Sequence, residues 1–236
     1  MMGIRVFGAA TLAALFLGAP SADAAIVGVT YTGTVSAGFD QIGLFGSPNR
    51  DLVGDSYQVT YTFNTVMGSY FTTPTESSAS GGTSVGTSSP SLGVTVTING
   101  VSVSSNLNGY FDQIYGYNDG SSSSEQYHST SYSNVTPDGK NALNYATNYV
   151  YAASLALPAS ITTPYNYDVQ ANDNQAGTIA FSTSDNSGAQ TLDAWASANI
   201  TNVAETLISP GPNPGAGLAG LAALMVAGFY VRTRRA

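Results

Sequence analysis

Cysteine is absent from all 236 residues. That excludes disulfide staples, thiol nucleophiles and thiolate metal sites together. Histidine occurs once, at His128, so one chain cannot assemble a His-pair metal site or a two-His facial triad. Glutamate is also rare: Glu76, Glu125 and Glu205 are the only three, far apart in sequence. Positive charge is equally scarce and sits mostly at the ends. Of six Lys and Arg, only Arg50 and Lys140 fall within 25–209, against thirteen acids there, a net of −11. Such a surface repels a phosphate backbone, which excludes nucleic acid as a partner. It favours solubility and discourages self-association at low salt.

What remains is a chain rich in Ser, Thr, Gly and Tyr with a period of two. Val27, Val29, Tyr31, Gly33 and Val35 alternate with Thr30, Thr32, Thr34 and Ser36, which predicts a half-buried strand over 26–37. A Gly/Pro/Asn loop follows over 38–54. Tyr57, Val59, Tyr61 and Phe63 alternate with Gln58, Thr60 and Thr62 in the cleanest strand pattern of the chain. Residues 74–90 are almost all Ser, Thr and Gly and read as a flexible loop. Leu92 to Ile98 and Val101 to Val103 flank Asn99-Gly100, the strongest short hairpin signal, because both turn residues need positive φ. Strands are also expected over 110–117, 126–133, 144–157 and 177–183. Thr191 to Thr206 fits helical spacing as well, but its Thr, Ile, Val and Trp content favours strand. Trp195 reads as a core residue. Eight to eleven short strands without an internal repeat predict an all-β domain, an antiparallel sandwich or jelly roll.

The two ends carry a different kind of pattern. Arg5, the apolar stretch Val6 to Ala19 and the A-x-A triplet Ala22-Asp23-Ala24 read as a signal peptide over 1–24, cut before Ala25 by signal peptidase. At the other end, Pro210, Pro212 and Pro214 break any sheet or helix. An apolar run of sixteen residues follows over 216–231, then Arg232, Arg234 and Arg235. As a helix the run spans roughly 24 Å, short of the ~30 Å hydrocarbon layer. Basic residues at both ends keep those ends cytoplasmic and put 25–209 outside. Breaker, short small-residue helix and basic stop together form a processing signal; an uncut C-terminal anchor is the other reading of 210–236.

This tail resembles the PEP-CTERM sorting signal of Gram-negative bacteria, with Asn213 standing where that motif has Glu. The resemblance covers about 27 residues. Residues 33–63 are more loosely similar to the opening of many exported PEP-CTERM cargo domains, a likeness that brings no active site with it. It implies an exosortase as processing partner, a transient inner-membrane tether, and delivery to the cell surface or the exopolysaccharide matrix. On that basis the chain is expected to be a non-enzymatic surface or biofilm-matrix protein with no cofactor. A secreted carbohydrate-binding module and a polysaccharide-acting hydrolase are the alternatives.

Four constellations bear on those alternatives. Gly82-Thr83-Ser84-Val85-Gly86 fits G-x-S-x-G, and Asp112, Asp119 and His128 follow in hydrolase order, but no strand or helix signal flanks the pentapeptide. His128 itself reads as a partly exposed strand residue. Asp168, Asn172, Asp173 and Asn174 gather oxygen ligands in a loop, with Asn118-Asp119-Gly120 less dense; the reading is a solvated Asx-turn loop first and a calcium site second. Tyr110, Phe111, Tyr115, Tyr117, Tyr145, Tyr149, Tyr151, Tyr165 and Tyr167 are good strand formers whose rings also stack on sugars. Facing carboxylates across a cleft would favour the hydrolase. A sheet face lined by tyrosines would favour glycan binding.

Overall fold

Period-two sequence becomes antiparallel sheet throughout the computed structural model, which describes residues 25–105, 110–131, 142–184 and 190–209. Thirteen strands occur among them: β1 (Ile26–Asp40), β2 (Arg50–Asp51), β3 (Ser56–Asn64), β4 (Ser69–Thr72), β5 (Glu76–Gly81), β6 (Ser91–Ile98), β7 (Val101–Ser105), β8 (Phe111–Asn118), β9 (Ser124–Ser131), β10 (Ala142–Ala152), β11 (Tyr165–Asp168), β12 (Asn174–Ser184) and β13 (Gln190–Ser209). Among the described residues no helix is long and apolar enough to cross a membrane. The expected signal peptide over 1–24 and the sorting tail over 210–236 lie outside the described residues.

All the strands join one hydrogen-bonded sheet, in the order β4-β5-β8-β9-β10-β12-β13-β1-β3-β6-β7, with β11 on β13 and β2 on β1. The expectation of two stacked sheets is therefore refined to one sheet curled upon itself. Two long strands cause this. β13 pairs β1 from Ala194 to Ser209, and on its other edge it pairs β12 over Gln190–Ala198 and β11 over Asn202–Glu205. Register shifts at Ile26/Val27, Thr32/Gly33 and Val35/Ala37 bend that ladder, as bulges do. One arm is β1, β3, β6 and β7; the other is β4, β5, β8, β9 and β10. Tyr31, Tyr57 and Tyr61 of the first reach His128 and Asn148 of the second by hydrogen bonds, so the arms face each other.

The hairpin at Asn99-Gly100 forms with φ of 51° and 78°, as its turn chemistry requires. Residues 190–209 are strand rather than helix, because Ala194, Ala196, Ala198 and Ile200 alternate into the core. Trp195, expected in the core, is half-buried on the opposite face of that alternation. The largest correction concerns 74–90, expected as a flexible loop. It contains β5, whose Ser77, Ala79 and Gly81 are buried, and a single 3-10 turn over Thr83–Val85. Composition misleads here because small hydroxyl side chains fit where another segment packs closely.

That segment is the loop 153–164, laid under the inner face of β5, β8 and β9. Its Leu157 and Ile161 are fully buried. Its backbone is held by side chains of the sheet. Ser77 Oγ donates to the Ala159 carbonyl at 2.7 Å and accepts from Ile161 N–H at 2.8 Å. Ser124 Oγ donates to Ser154 and accepts from Leu157 N–H, at 2.6 and 3.0 Å. Gln126 Nε2 and Asn118 Nδ2 donate to the carbonyls of Pro158 and Leu157, at 2.7 and 2.8 Å. An irregular backbone inside a protein needs such partners, and these side chains supply them.

Candidate functional site

Two surfaces of the second arm hold the chemistry, one facing in and one facing out. The inner one is unusually polar. His128 on β9 and Asn148 on β10 are directly paired in register and are fully buried, where sequence placed His128 at a partly exposed position. The reason for the correction is register: His128 shares its alternation with the buried Gln126 and Thr130, which line the inner face. Its Nδ1 is hydrogen-bonded to the Tyr31 hydroxyl at 2.6 Å, and that hydroxyl also donates to the Gln126 carbonyl at 3.3 Å. The rings of Tyr31, Tyr61 and Phe63 surround the imidazole at centroid distances of 5.5, 5.8 and 5.7 Å. Burial among them pushes the imidazole down to about 3, so it is neutral at physiological pH.

Asn148 is the second tie between the arms. Its Oδ1 accepts from the Tyr57 hydroxyl at 2.9 Å, and its Nδ2 donates to the Tyr61 hydroxyl at 2.6 Å. Gly177 lies opposite Asn148 on β12, and a Cβ there would stand 2.4 Å from Asn148 Oδ1 and 2.9 Å from the Tyr57 hydroxyl. Only glycine leaves room for this pair. Burial raises both tyrosine hydroxyls above their ordinary range.

Glu205 on β13 is buried with neither carboxyl oxygen hydrogen-bonded, and the hydroxyl of Tyr165, its register partner on β11, is likewise without a partner. Desolvation pushes the Glu205 carboxyl up to about 8. It is a neutral acid at neutral pH. Sequence reasoning saw Glu205 only as a possible half of a glycosidase pair. Val29 and Tyr61 continue its row across the sheet, so no second carboxylate faces it along the row.

The outer face of the same arm carries the aromatics. Registers place Phe71, Ser78, Tyr115, Tyr127, Tyr149 and Ala176 in one row across β4, β5, β8, β9, β10 and β12. The next row reads Glu76, Tyr117, Glu125, Tyr151 and Asn174. Residues directly opposite on paired strands share a face, one strand spacing of ~4.8 Å apart. Five tyrosines thus form a platform two rows deep, with Phe71 at its margin and half exposed. Tyr149 is oriented by donating to Asn174 Oδ1 at 3.3 Å. Desolvation and then the carboxylates of Glu76 and Glu125 raise the Tyr115 hydroxyl, and desolvation raises the Glu125 carboxyl. Tyr127, flanking His128 in sequence, was not among the aromatic candidates; the alternation of Glu125 and Tyr127 against Gln126 and His128 was the available signal.

Asp173 Oδ1 accepts from Ala153 N–H at 3.0 Å, and its Oδ2 from Gln170 N–H and the Tyr167 hydroxyl, both at 2.7 Å. Desolvation works against ionisation there, but these donors hold the carboxyl below its ordinary range. Asp168 Oδ1 accepts from Asn202, Asn174 Oδ1 from Tyr149, and Asn172 is exposed. Asp119 accepts from the N–H groups of Ser122, Ser121 and Ser123 in an Asx-type turn, which lowers its carboxyl. Among the described residues no three His, Asp or Glu gather as a metal site. Ser84 is exposed in its 3-10 turn. The Asp112 carboxylate accepts from the hydroxyls of Ser89 and Thr130, and His128 Nδ1 is taken by Tyr31. Asp112 and His128 are diagonal neighbours on the inner face of β8 and β9, each hydrogen-bonded to other partners, while Ser84 is exposed. Ala25 is buried, with its N–H donating to Thr65 Oγ1 at 3.1 Å. Compared with protein-family models, with curated proteins and with solved structures, the chain matches none.

Proposed function

We propose that this chain is a non-enzymatic, exported protein of the cell surface or extracellular matrix, released through a C-terminal PEP-CTERM-like signal, and that its β-domain holds glycan on the tyrosine platform. The observation that carries the binding half is the register that sets Tyr115, Tyr127 and Tyr149 side by side on an outward face. Aromatic rings on a rigid sheet stack on sugar rings with little loss of conformational entropy. The two facing arms supply the rigidity, giving from one curled sheet the layered packing expected of a sandwich.

The sorting half rests on the tail: Pro210, Pro212, Asn213 and Pro214, the apolar run, and Arg232, Arg234 and Arg235. Signal peptidase and an exosortase-type enzyme are the implied processing partners. The test is fractionation of cells carrying the wild type or a deletion of 210–236, with intact-mass measurement of each product. Sorting predicts wild-type protein outside the cell, starting at Ala25 and lacking the 216–231 segment, and a freely secreted deletion variant. Wild-type protein retained in the inner membrane with its tail intact overturns the sorting reading.

A further inference from the structure

Charge on the platform selects its ligand. Glu76 and Glu125 lie directly either side of Tyr117 in the second row, on β5 and β9. Both are partly exposed, and neither carboxylate has a hydrogen-bond or ion-pair partner among the described residues. Among those residues Arg50 is the only Lys or Arg, and it is paired with Asp55 at 2.6 Å. A uronate or sulfate polymer would meet no counter-charge on this face, and the −11 net charge of 25–209 repels it further. Two partly desolvated carboxylates beside tyrosine faces are the arrangement that attracts an ammonium group, through charge and through the ring quadrupole.

We propose that the platform binds an amine-bearing glycan, a polymer of hexosamine units with free amino groups, with the pyranose faces on Tyr115, Tyr127 and Tyr149 and the amines toward Glu76 and Glu125. This rests on the glycan-binding reading above. A pyranose polymer suits the row because its rings recur at about the spacing of adjacent strands, ~4.8 Å. A basic peptide fits less well. The backbone N–H and C=O groups of β8, β9 and β10 are consumed in ladders on both sides, so this face offers a peptide no main-chain pairing.

The experiment is calorimetric titration of the full-length chain in mild detergent with three probes: glucosamine oligosaccharides, their N-acetylated counterparts, and oligolysine. Slightly acidic buffer of low ionic strength keeps the amines protonated. The glucosamine probe is expected to bind at least about tenfold tighter than the acetylated one. Glu76→Gln with Glu125→Gln is expected to erase that preference, and Tyr127→Ala to weaken both sugars while circular dichroism stays unchanged. Equal binding of both sugars, still sensitive to Tyr127→Ala, overturns the amine selectivity and leaves the glycan-binding platform standing. Oligolysine binding as tight as glucosamine overturns the sugar assignment in favour of simple cation capture. Binding of neither sugar overturns the amine proposal and the glycan-binding reading together.

Discussion

The two arms of the sheet follow the same alternation, but the second mixes polar residues with Ile114, Ala146 and Val150 on its inner face. In β1, β3 and β6 the inward residues are Val27, Val29, Tyr31, Tyr57, Val59, Tyr61, Phe63, Val94, Val96 and Ile98, all buried. Their outward neighbours are hydroxyls that pair across strands, Thr30 with Thr60 at 3.0 Å, Thr95 with Ser104 at 2.9 Å and Thr97 with Ser102 at 2.8 Å. In β8, β9 and β10 the inward set includes Asp112, Gln126, His128, Thr130 and Asn148, and the tyrosines face out. The first arm obeys the ordinary rule of apolar inside and polar outside. The second departs from it because its inner face serves hydrogen-bonding partners: the loop 153–164 and the tyrosine hydroxyls of the first arm. An inverted arm is costly without those partners, and its exposed rings are the informative feature.

If the arms are tied through Asn148, removing that side chain should hurt most. Asn148→Ala leaves the Tyr57 and Tyr61 hydroxyls buried without a partner, an expected loss of about 3–5 kcal/mol. Urea unfolding should show a much lower midpoint; an unchanged midpoint would mean the arms do not depend on this contact.

Glu205 sharpens the comparison through pH. Its folded-state carboxyl titrates near 8 against an ordinary 4.5, so its contribution is complete below 4.5 and is lost as pH rises toward 8. Glu205→Gln, which mimics the neutral acid, should match the wild type at pH about 4.5 and exceed it by about 1.4 kcal/mol per pH unit above that, reaching roughly 3 kcal/mol near neutrality. His128 has the opposite sign: its value is lowered to about 3 from 6.5, so its contribution is present above 6.5 and lost as pH falls. A Glu205→Gln advantage that is the same at every pH would show that the carboxyl is not held neutral by the fold.

The smallest effect is expected outside. Replacing Tyr115, Tyr127 and Tyr149 together by Thr should shift stability by no more than about 0.5 kcal/mol per site, since Thr is a good strand residue and these rings face solvent. A loss as large as that of Asn148→Ala, read by the same urea titration, would mean that the platform rings are structural.

How much of this was legible varies with the strand. Tyr57 to Phe63 and the Asn99-Gly100 hairpin could be read residue by residue, because apolar β-branched and aromatic alternation has one stable outcome when one face is buried. β5 could not, because Ser and Gly look like loop until a packed loop gives their hydroxyls partners. Ser124 to Ser131 was legible as a strand, but not its facing. Tyrosine and histidine are both amphipathic, so the sequence did not say which would go inward. In this strand the period of two held, and only its sign was hidden.

Fold class and the positions of the apolar alternating strands are therefore legible in this sequence alone, while β5 is not. A cysteine-free, acidic chain with period-two alternation buries its apolar stripe as sheet. Which face of the second arm points inward, that His128 is buried and neutral, and that five tyrosines align across three strands were decided by tertiary structure. Register pairs residues far apart in the chain, and burial depends on what the opposite arm and the inserted loop present.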